Sequence, residues 1–403
     1  MARSGWVKPE SPERLSDHVS LGVTTAVFPP DVVDRVIERT GAGEQRTRLL
    51  PSRLMVYYVM ALALFAQGSY EEVMRSLLAG LDWITGRFGG WQVPTKAAIF
   101  KARTRLGSTV MAGLFAEVAR PLAAPESNGF YRGWRLVSVD GTCLDLADTP
   151  ANERYYGRPG TATALKSAFP QARVLGLVEC GTHAIIGAVV SGFSTSEHDL
   201  YPGLQAELDA SMLLMADRGF FSHTAWKNSA ATGAQLLWRM RSNNVLPVLE
   251  DLADGSYLSA VYASTKDRRN NTDPIPVRVI EYTVTSAETG GETASDFRLI
   301  TTILDPDAAT ADDLAQAYAR RWEIESCFDE LKTHQRGPGI VLRSKTPDGV
   351  LQEIYGYLCA HYGLRSLIAD VAHQFEEDPL WFSFTRTLRA ARRTIAGPPA
   401  FSP

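Results

Sequence analysis

Three carboxylates, far apart along the chain, are the residues best suited to chemistry. Asp140 lies in "LVSVDGT" and Asp217 in "LLMADRGF", each following an apolar strand-like run. Glu325 lies in "AYARRWEIESCFDELKT", residues 317–333, which reads as a helix. At about 100° per residue, Tyr318, Arg321, Glu325 and Lys332 fall within an arc of roughly 60°. Ile324, Phe328 and Leu331 form a separate apolar arc that can bind this helix to a core. Carboxylates brought together from two strand ends and a helix would offer hard oxygen ligands, which match Mg²⁺. Two such cations can clamp the attacking and leaving oxygens of a phosphodiester displacement.

Blander readings compete with each of these residues. An Asp-Gly pair after a strand is often only a turn. Asp145 and Asp148 are nearby carboxylates, with Asp145 on the strand face opposite Asp140. Asp199 in "STSEHDL" reads as a helix cap, and Glu323 falls on the wrong helix face. Asp329, about 40° from Glu325 on the helical wheel, stays open as an alternative third ligand. The competing account of the polar face itself is a surface ion-pair network of Glu325 with Arg321 and Lys332.

The surrounding elements must position these residues. Residues 1–125 read as helical: "PPDVVDRVIERTG", "SRLMVYYVMALALFAQG", "SYEEVMRSLLAGLDWI" and "PTKAAIFKARTRLG" carry helix punctuation at their ends. From 126 to 242 the pattern turns to strands, with "WRLVSVDGTCLDLAD", "ARVLGLVECG", "HAIIGAVVSGF", "LLMADRGF" and "AQLLWRMRS". The second and third should form a hairpin about Gly181–Thr182, and helices should separate the last three. This order predicts an α/β mixed sheet covered by helices. Residues 243–300 read as a β-rich insertion, 301–375 return to the catalytic unit, and 376–403 form a basic helix and a frayed tail.

At 403 residues and 45% hydrophobic content the chain is long enough for two or three globular domains. Its longest apolar run, residues 54–66, is too short to span a bilayer. The first 20 residues have no apolar signal core, which argues against secretion. The four cysteines form no CxxC or Cys/His cluster, so a structural zinc site is disfavoured and a reduced, cytoplasmic chain is expected. The net charge of −4 argues mildly against nucleic acid as partner. However, residues 250–296 hold nine acids against four bases, so the remainder of the chain is close to +1.

The spacing Y-x2-R-x3-E-x6-K, with "DGT" and "DRGF" strand ends and a β region before the glutamate helix, resembles the DDE transposases of the insertion sequence 4 family. "VLRSKTPDGVLQEIYGYLCAHYGLRSL" and the N-terminal "LPSRLMVYYVMALALF" with "YEEVMRSLLAGL" extend the resemblance over nearly the whole chain. The resemblance implies a ribonuclease-H-like core in which Asp140, Asp217 and Glu325 hold Mg²⁺, or Mn²⁺ in its place. It implies that Tyr318, Arg321 and Lys332 contact DNA phosphates near the cleaved end. It further implies hydrolysis at the ends of a bacterial insertion sequence, then strand transfer by the freed 3′-hydroxyl. Relatives stack a tryptophan of the insertion on a flipped base; here Phe297 stands in that strand, and Trp238 precedes the insertion.

DNA at the terminal inverted repeats and at the target would be the partner, with a homodimer in the DNA complex and no membrane. Lys96, Lys101, Arg103 and Arg105 lie on "PTKAAIFKARTRLG", which fits the reading helix of a helix-turn-helix pair, but the bases do not gather on one face, and a solvated basic helix is the competing reading. Arg386, Arg389 and Arg393 of "SFTRTLRAARRTI" share one face, which fits a phosphate contact, an acidic partner or a solvated helix end. Two alternatives are a nuclease that cuts without joining and a domesticated transposase that binds DNA without catalysis.

Overall fold

A computed structural model describes residues 23–46, 48–85, 93–160, 166–288 and 291–396. The amino-terminal stretch expected to lack a signal core and the tail after 396 lie outside the described residues. Six helices come first: α1 (Val23–Val27), α2 (Pro30–Arg39), α3 (Ser52–Leu64), α4 (Tyr70–Thr85), α5 (Lys96–Leu106) and α6 (Ser108–Val118). Nearly every side chain of α3 is buried, as an all-round apolar helix requires. No described helix is long and apolar enough to cross a membrane.

The strands follow: β1 (Phe130–Tyr131), β2 (Trp134–Asp145), β3 (Gln171–Glu179), β4 (Ala184–Gly192), β5 (Met212–Ala216) and β6 (Gln235–Arg239). Helix α7 (Pro150–Tyr156) lies between β2 and β3, α8 (Glu197–Leu200) after β4, and α9 (His223–Ala230) between β5 and β6. β3 pairs antiparallel with β2 and β4, while β5 pairs parallel with β2 and β6. The resulting order β4-β3-β2-β5-β6, three antiparallel strands then two parallel ones reached through helices, is a ribonuclease-H-like mixed sheet.

The β-rich stretch does not form a sheet of its own. It supplies β7 (Glu250–Asp251), β8 (Tyr257–Val261), α10 (Thr265–Asn270), β9 (Ile275–Glu288) and β10 (Gly291–Thr301). β10 pairs antiparallel with β6 through Leu299↔Arg239 to Thr301↔Leu237, so these strands continue the central sheet. Leu299 and Ile300 of "FRLITT" are both fully buried, as residues of an inner strand are.

Among the described residues four α-helices come last: α11 (Ala311–Ala319), α12 (Glu323–Asp329), α13 (Pro347–Phe375) and α14 (Phe384–Ala396). The sequence 311–335 is not one regular helix. A 3₁₀ turn at Arg320–Trp322 and a π turn at Glu330–Gln335 bracket α12. Such irregular turns recur at functional sites. Leu314 and Tyr318 join a core cluster with Leu136, Leu213 and Met215, while Ile324 and Phe328 join the main cluster shared with α3, α6 and α13.

Candidate active site

Asp140 does not end its strand. β2 runs on to Asp145, and Asp140 pairs with Gly176 of β3. On the other side the β2–β5 ladder stops at Val139↔Ala216, so Asp140 and Asp217 each stand one residue past the last pair. Alternation puts Asp140 on the face of Leu136, and Asp217 on the face of Leu213 and Met215. Those residues share one cluster, so both carboxylates look out from the same side where two parallel strands part.

The glycine after Asp140 is also not a turn residue. A Cβ on Gly141 would lie 2.7 Å from Cγ of Glu197. Glu197, in the first turn of α8, therefore folds over the backbone beside Asp140. Sequence reasoning missed this fourth carboxylate. Asp199 was the residue noticed there, and it hydrogen-bonds with Ser196, the actual cap. The Gly141 that admits Glu197 was the available signal.

Gly176 performs the matching service for the glutamate helix. A Cβ there would lie 3.2 Å from the Phe328 ring, so the bare backbone lets α12 pack tightly on the sheet directly beside Asp140. Arg321 then stands between two carboxylates, with Nη1 3.6 Å from Asp140 Oδ2 and Nη2 3.5 Å from Glu325 Oε1. Asp217 has Arg239 Nη1 at 3.9 Å. Burial raises the Asp140 carboxyl to about 6; the Gly141 amide and Arg321 oppose that rise, and Glu197 and Glu325 add to it. Asp140 thus carries a charge that its surroundings only partly compensate.

The opposite side of α12 is tied down. His183, held at φ 56° in the β3–β4 turn, contacts Glu323 Oε2 through Nε2 at 2.9 Å and Glu330 Oε1 through Nδ1 at 2.9 Å. Arg365 and His361 of α13 also contact Glu330. Burial pulls His183 below its ordinary value, while its hydrogen bond holds the Glu323 carboxyl below the usual range. This network fixes α12 from behind and leaves Glu325, 50% exposed at its side chain, facing outward. Of the rival carboxylates, Asp145 is engaged with Gln171 and Asp148 with Arg158, while Asp329 contacts His334 and stays on the same side as Glu325.

Two expected phosphate contacts need correction. Tyr318 is 2% exposed and donates its hydroxyl to the Ala216 carbonyl at 3.3 Å, so the phenol supports the backbone just before Asp217. Arg103 is buried. It donates to Gln352 Oε1 at 2.8 Å, to the Tyr70 hydroxyl at 2.7 Å and to Ser344, tying α5 to the start of α13. The cause is the apolar face of α5, where Ile99, Ala102 and Leu106 turn inward and carry Arg103 with them. Arg105 donates to the Leu50 carbonyl and pairs with Glu44, which leaves Lys101 exposed.

Arg321 is also withdrawn from the surface, at 7% exposure. Lys332 is half-buried and forms no ion pair among the described residues. Phe297 is not free to stack, because Tyr282 lies on its ring and the Arg239 guanidinium sits 4.0 Å from its centre. Trp238 is fully buried.

Arg103→Met is expected to lower stability by about 2–3 kcal/mol, since several buried acceptors lose their donor. Thermal unfolding would show this as a fall in Tm, with the salt dependence of DNA binding unchanged. An unaltered Tm with a shallower salt dependence would return Arg103 to the DNA interface.

Among the described residues, no three acidic, histidine or cysteine side chains stand close enough to form a ready cation site. The donor chemistry nevertheless suits a hard divalent cation. Asp140, Asp217 and Glu325 offer only carboxylate oxygen, and the raised Asp140 is the carboxyl with most to gain from a nearby positive charge.

Comparison with known proteins converges on one family. Residues 18–116 match the insertion element 4 transposase N-terminal family, and residues 132–362 match the transposase DDE domain. The chain is 24% identical over 352 residues to the transposase InsG for insertion sequence element IS4 of Escherichia coli (strain K12), covering 86% of this chain and 76% of that protein. It is 21% identical over 294 residues to the putative transposase InsZ of the same organism, covering 68% of this chain and 92% of that one. The piggyBac transposase synaptic complex with hairpin DNA aligns over 93% of this chain and 79% of that one, at 11% identity and a TM-score of 0.47. With its DDE domain matched from β2 through most of α13 and its N-terminal helices matched separately, the chain belongs to the insertion element 4 family of DDE transposases, enzymes that cut DNA, transfer its strands and depend on a divalent cation.

Proposed function

We propose that this transposase cuts DNA at the terminal inverted repeats of a bacterial insertion sequence and joins the 3′-hydroxyl ends to a target, with Asp140, Asp217 and Glu325 as its cation-holding residues. The observation that carries this reading is the single guanidinium of Arg321 held between Asp140 and Glu325, with Asp217 at the matching position on the adjoining strand. Mg²⁺ is the proposed ion and Mn²⁺ its substitute. Bound cations would supply charge neutralisation at the attacking and leaving oxygens of the phosphodiester.

The protein's own residues do the positioning. Arg321 offsets part of the repulsion between Asp140 and Glu325, so it keeps the two together in place of the surface phosphate grip expected for it. Tyr318 steadies the backbone before Asp217 through the Ala216 carbonyl. His183 fixes the face of α12 behind Glu325. Lys332 is the remaining cation of the helix run for a DNA phosphate. The N-terminal helices of residues 1–125 are the proposed reading unit for the ends, with Lys96 and Lys101 as the exposed lysines of α5. Synapsis of two ends requires a homodimer in the DNA complex, and the chromosome places the enzyme in the cytoplasm.

Cleavage of a labelled duplex ending in the element's own terminal repeat tests this reading. Nicking at the repeat boundary with Mg²⁺, and none with a chelator, is the expected result; cleavage indifferent to the repeat or to the cation would refute it. Lys332→Ala is expected to flatten the log–log salt dependence of end binding by about one unit, the yield of one lost phosphate contact. An unchanged slope in a binding titration would remove Lys332 from the interface.

A further inference from the structure

Helix α14 has two unlike sides. Phe384, Leu388, Ala391 and Ile395 are buried, while Arg386, Arg389 and Arg393 are exposed. The helix carries four arginines and no acid, and the three outward ones form no ion pair among the described residues. Its inward arginine, Arg392, donates to the Leu64 carbonyl at 2.5 Å and to the Gln335 carbonyl at 3.4 Å. Gln335 ends the π turn that continues α12, so the basic strip is fixed to the helix that carries Glu325.

A cavity of about 490 Å³ joins the two elements. Glu325, Ser326 and Asp329 line one wall, and Ser383, Phe384 and Thr385 at the start of α14 line another. Helical spacing turns Arg386, Arg389 and Arg393 away from Phe384, so the strip faces outward from this cavity and not into it.

We propose that Arg386, Arg389 and Arg393 hold the sugar–phosphate backbone of the incoming target duplex during strand transfer; this rests on the transposase reading above. Charge selects the occupant. Three unpaired guanidinia, spaced along about 10 Å of helix axis at about 1.5 Å per residue, span the axial rise of about three phosphates on one strand. Contacts of this type read no sequence, as a duplex met at many sites requires.

The test compares wild type with the triple variant R386Q/R389Q/R393Q, using end duplexes and a separate target duplex. All three positions are exposed, so the variant should melt with wild type. The expected result is unchanged end binding and cleavage, with strand transfer lowered about tenfold or more. Capture of target by the preformed end complex should lose about two to three units of log–log salt slope, at about 0.9 per contact. The triple lysine variant, which keeps the charge, should recover most of the capture. Equal loss of end binding and target capture would assign the strip to the element end and overturn the proposal, as would wild-type capture by the glutamine variant. Failure of wild type to cleave end DNA at all would instead sink the functional reading on which the proposal stands.

Discussion

Glu325→Gln should leave end binding close to wild type and lower both cleavage and joining by about a thousandfold or more, the scale on which removal of one preorganised electrostatic group acts. Glutamine keeps the shape and hydrogen-bonding capacity of the side chain but removes the charge that a cation requires. Its partner Arg321 retains Asp140 at 3.6 Å, so the buried guanidinium is not left alone. End binding rests on cationic side chains elsewhere and should survive. A gel-shift titration and a cleavage assay on the same end duplex separate the two effects. Full cleavage by Glu325→Gln would remove this residue from the active site. Loss of binding as well would assign its helix a folding role.

Asp140→Asn should abolish cleavage and, in the cation-free protein, raise stability. The Asp140 carboxyl is pushed up to about 6 from an ordinary 3.8, chiefly by burial. A raised acid binds its proton more tightly in the folded than in the unfolded state. Its stabilising contribution is therefore present below the unfolded value and is lost as pH climbs from about 4 to about 6. Above that range the ionised group costs about 2–3 kcal/mol, at about 1.4 kcal/mol per pKa unit. Asparagine escapes the cost, because it never ionises. Thermal melts in chelator should show the variant more stable at pH 8, with the gap closing toward pH 4. A variant less stable than wild type at pH 8 would mean that Arg321 and the Gly141 amide already compensate the charge. It would also remove the argument that this site is short of positive charge.

The ribonuclease-H-like sheet was legible because its strands alternate cleanly and its helices carry ordinary caps. Ser222 and Thr310, for example, accept from the amides three residues on. What escaped the sequence depended on pairing between distant segments. Asp140 looked like a strand end, because an Asp-Gly pair commonly marks a turn. Only the register with β3 shows that the strand continues, and only the approach of Glu197 explains the glycine. The strands after residue 243 looked like a separate insertion because nothing local announces that β10 will pair with β6.

The face of the glutamate helix shows the same limit. Helical spacing gathered Tyr318, Arg321, Glu325 and Lys332 into one arc, but spacing cannot tell a surface from an interface. Tyr318 and Arg321 are buried against strand ends, and the 3₁₀ and π turns bend the run away from ideal geometry. Arg103 was misread for a related reason. A basic residue on a capped helix appears solvated until the carbonyls and hydroxyls that enclose it, here from α4 and α13, are known. His183 gave no local cue at all, since its partners Glu323 and Glu330 lie more than a hundred residues away.

Counting bound Mn²⁺ by electron paramagnetic resonance, in complexes with an end duplex, tests the central claim most directly. Two ions per active site are expected for wild type. Asp217→Asn should hold at most one, and Asp329→Asn should hold as many as wild type. Asp217 is the decisive position, because its place beside Asp140 follows from strand register and not from a shared arginine. Wild-type occupancy in Asp217→Asn, or loss of an ion in Asp329→Asn, would contradict the assignment of Asp140, Asp217 and Glu325 as the cation-holding set.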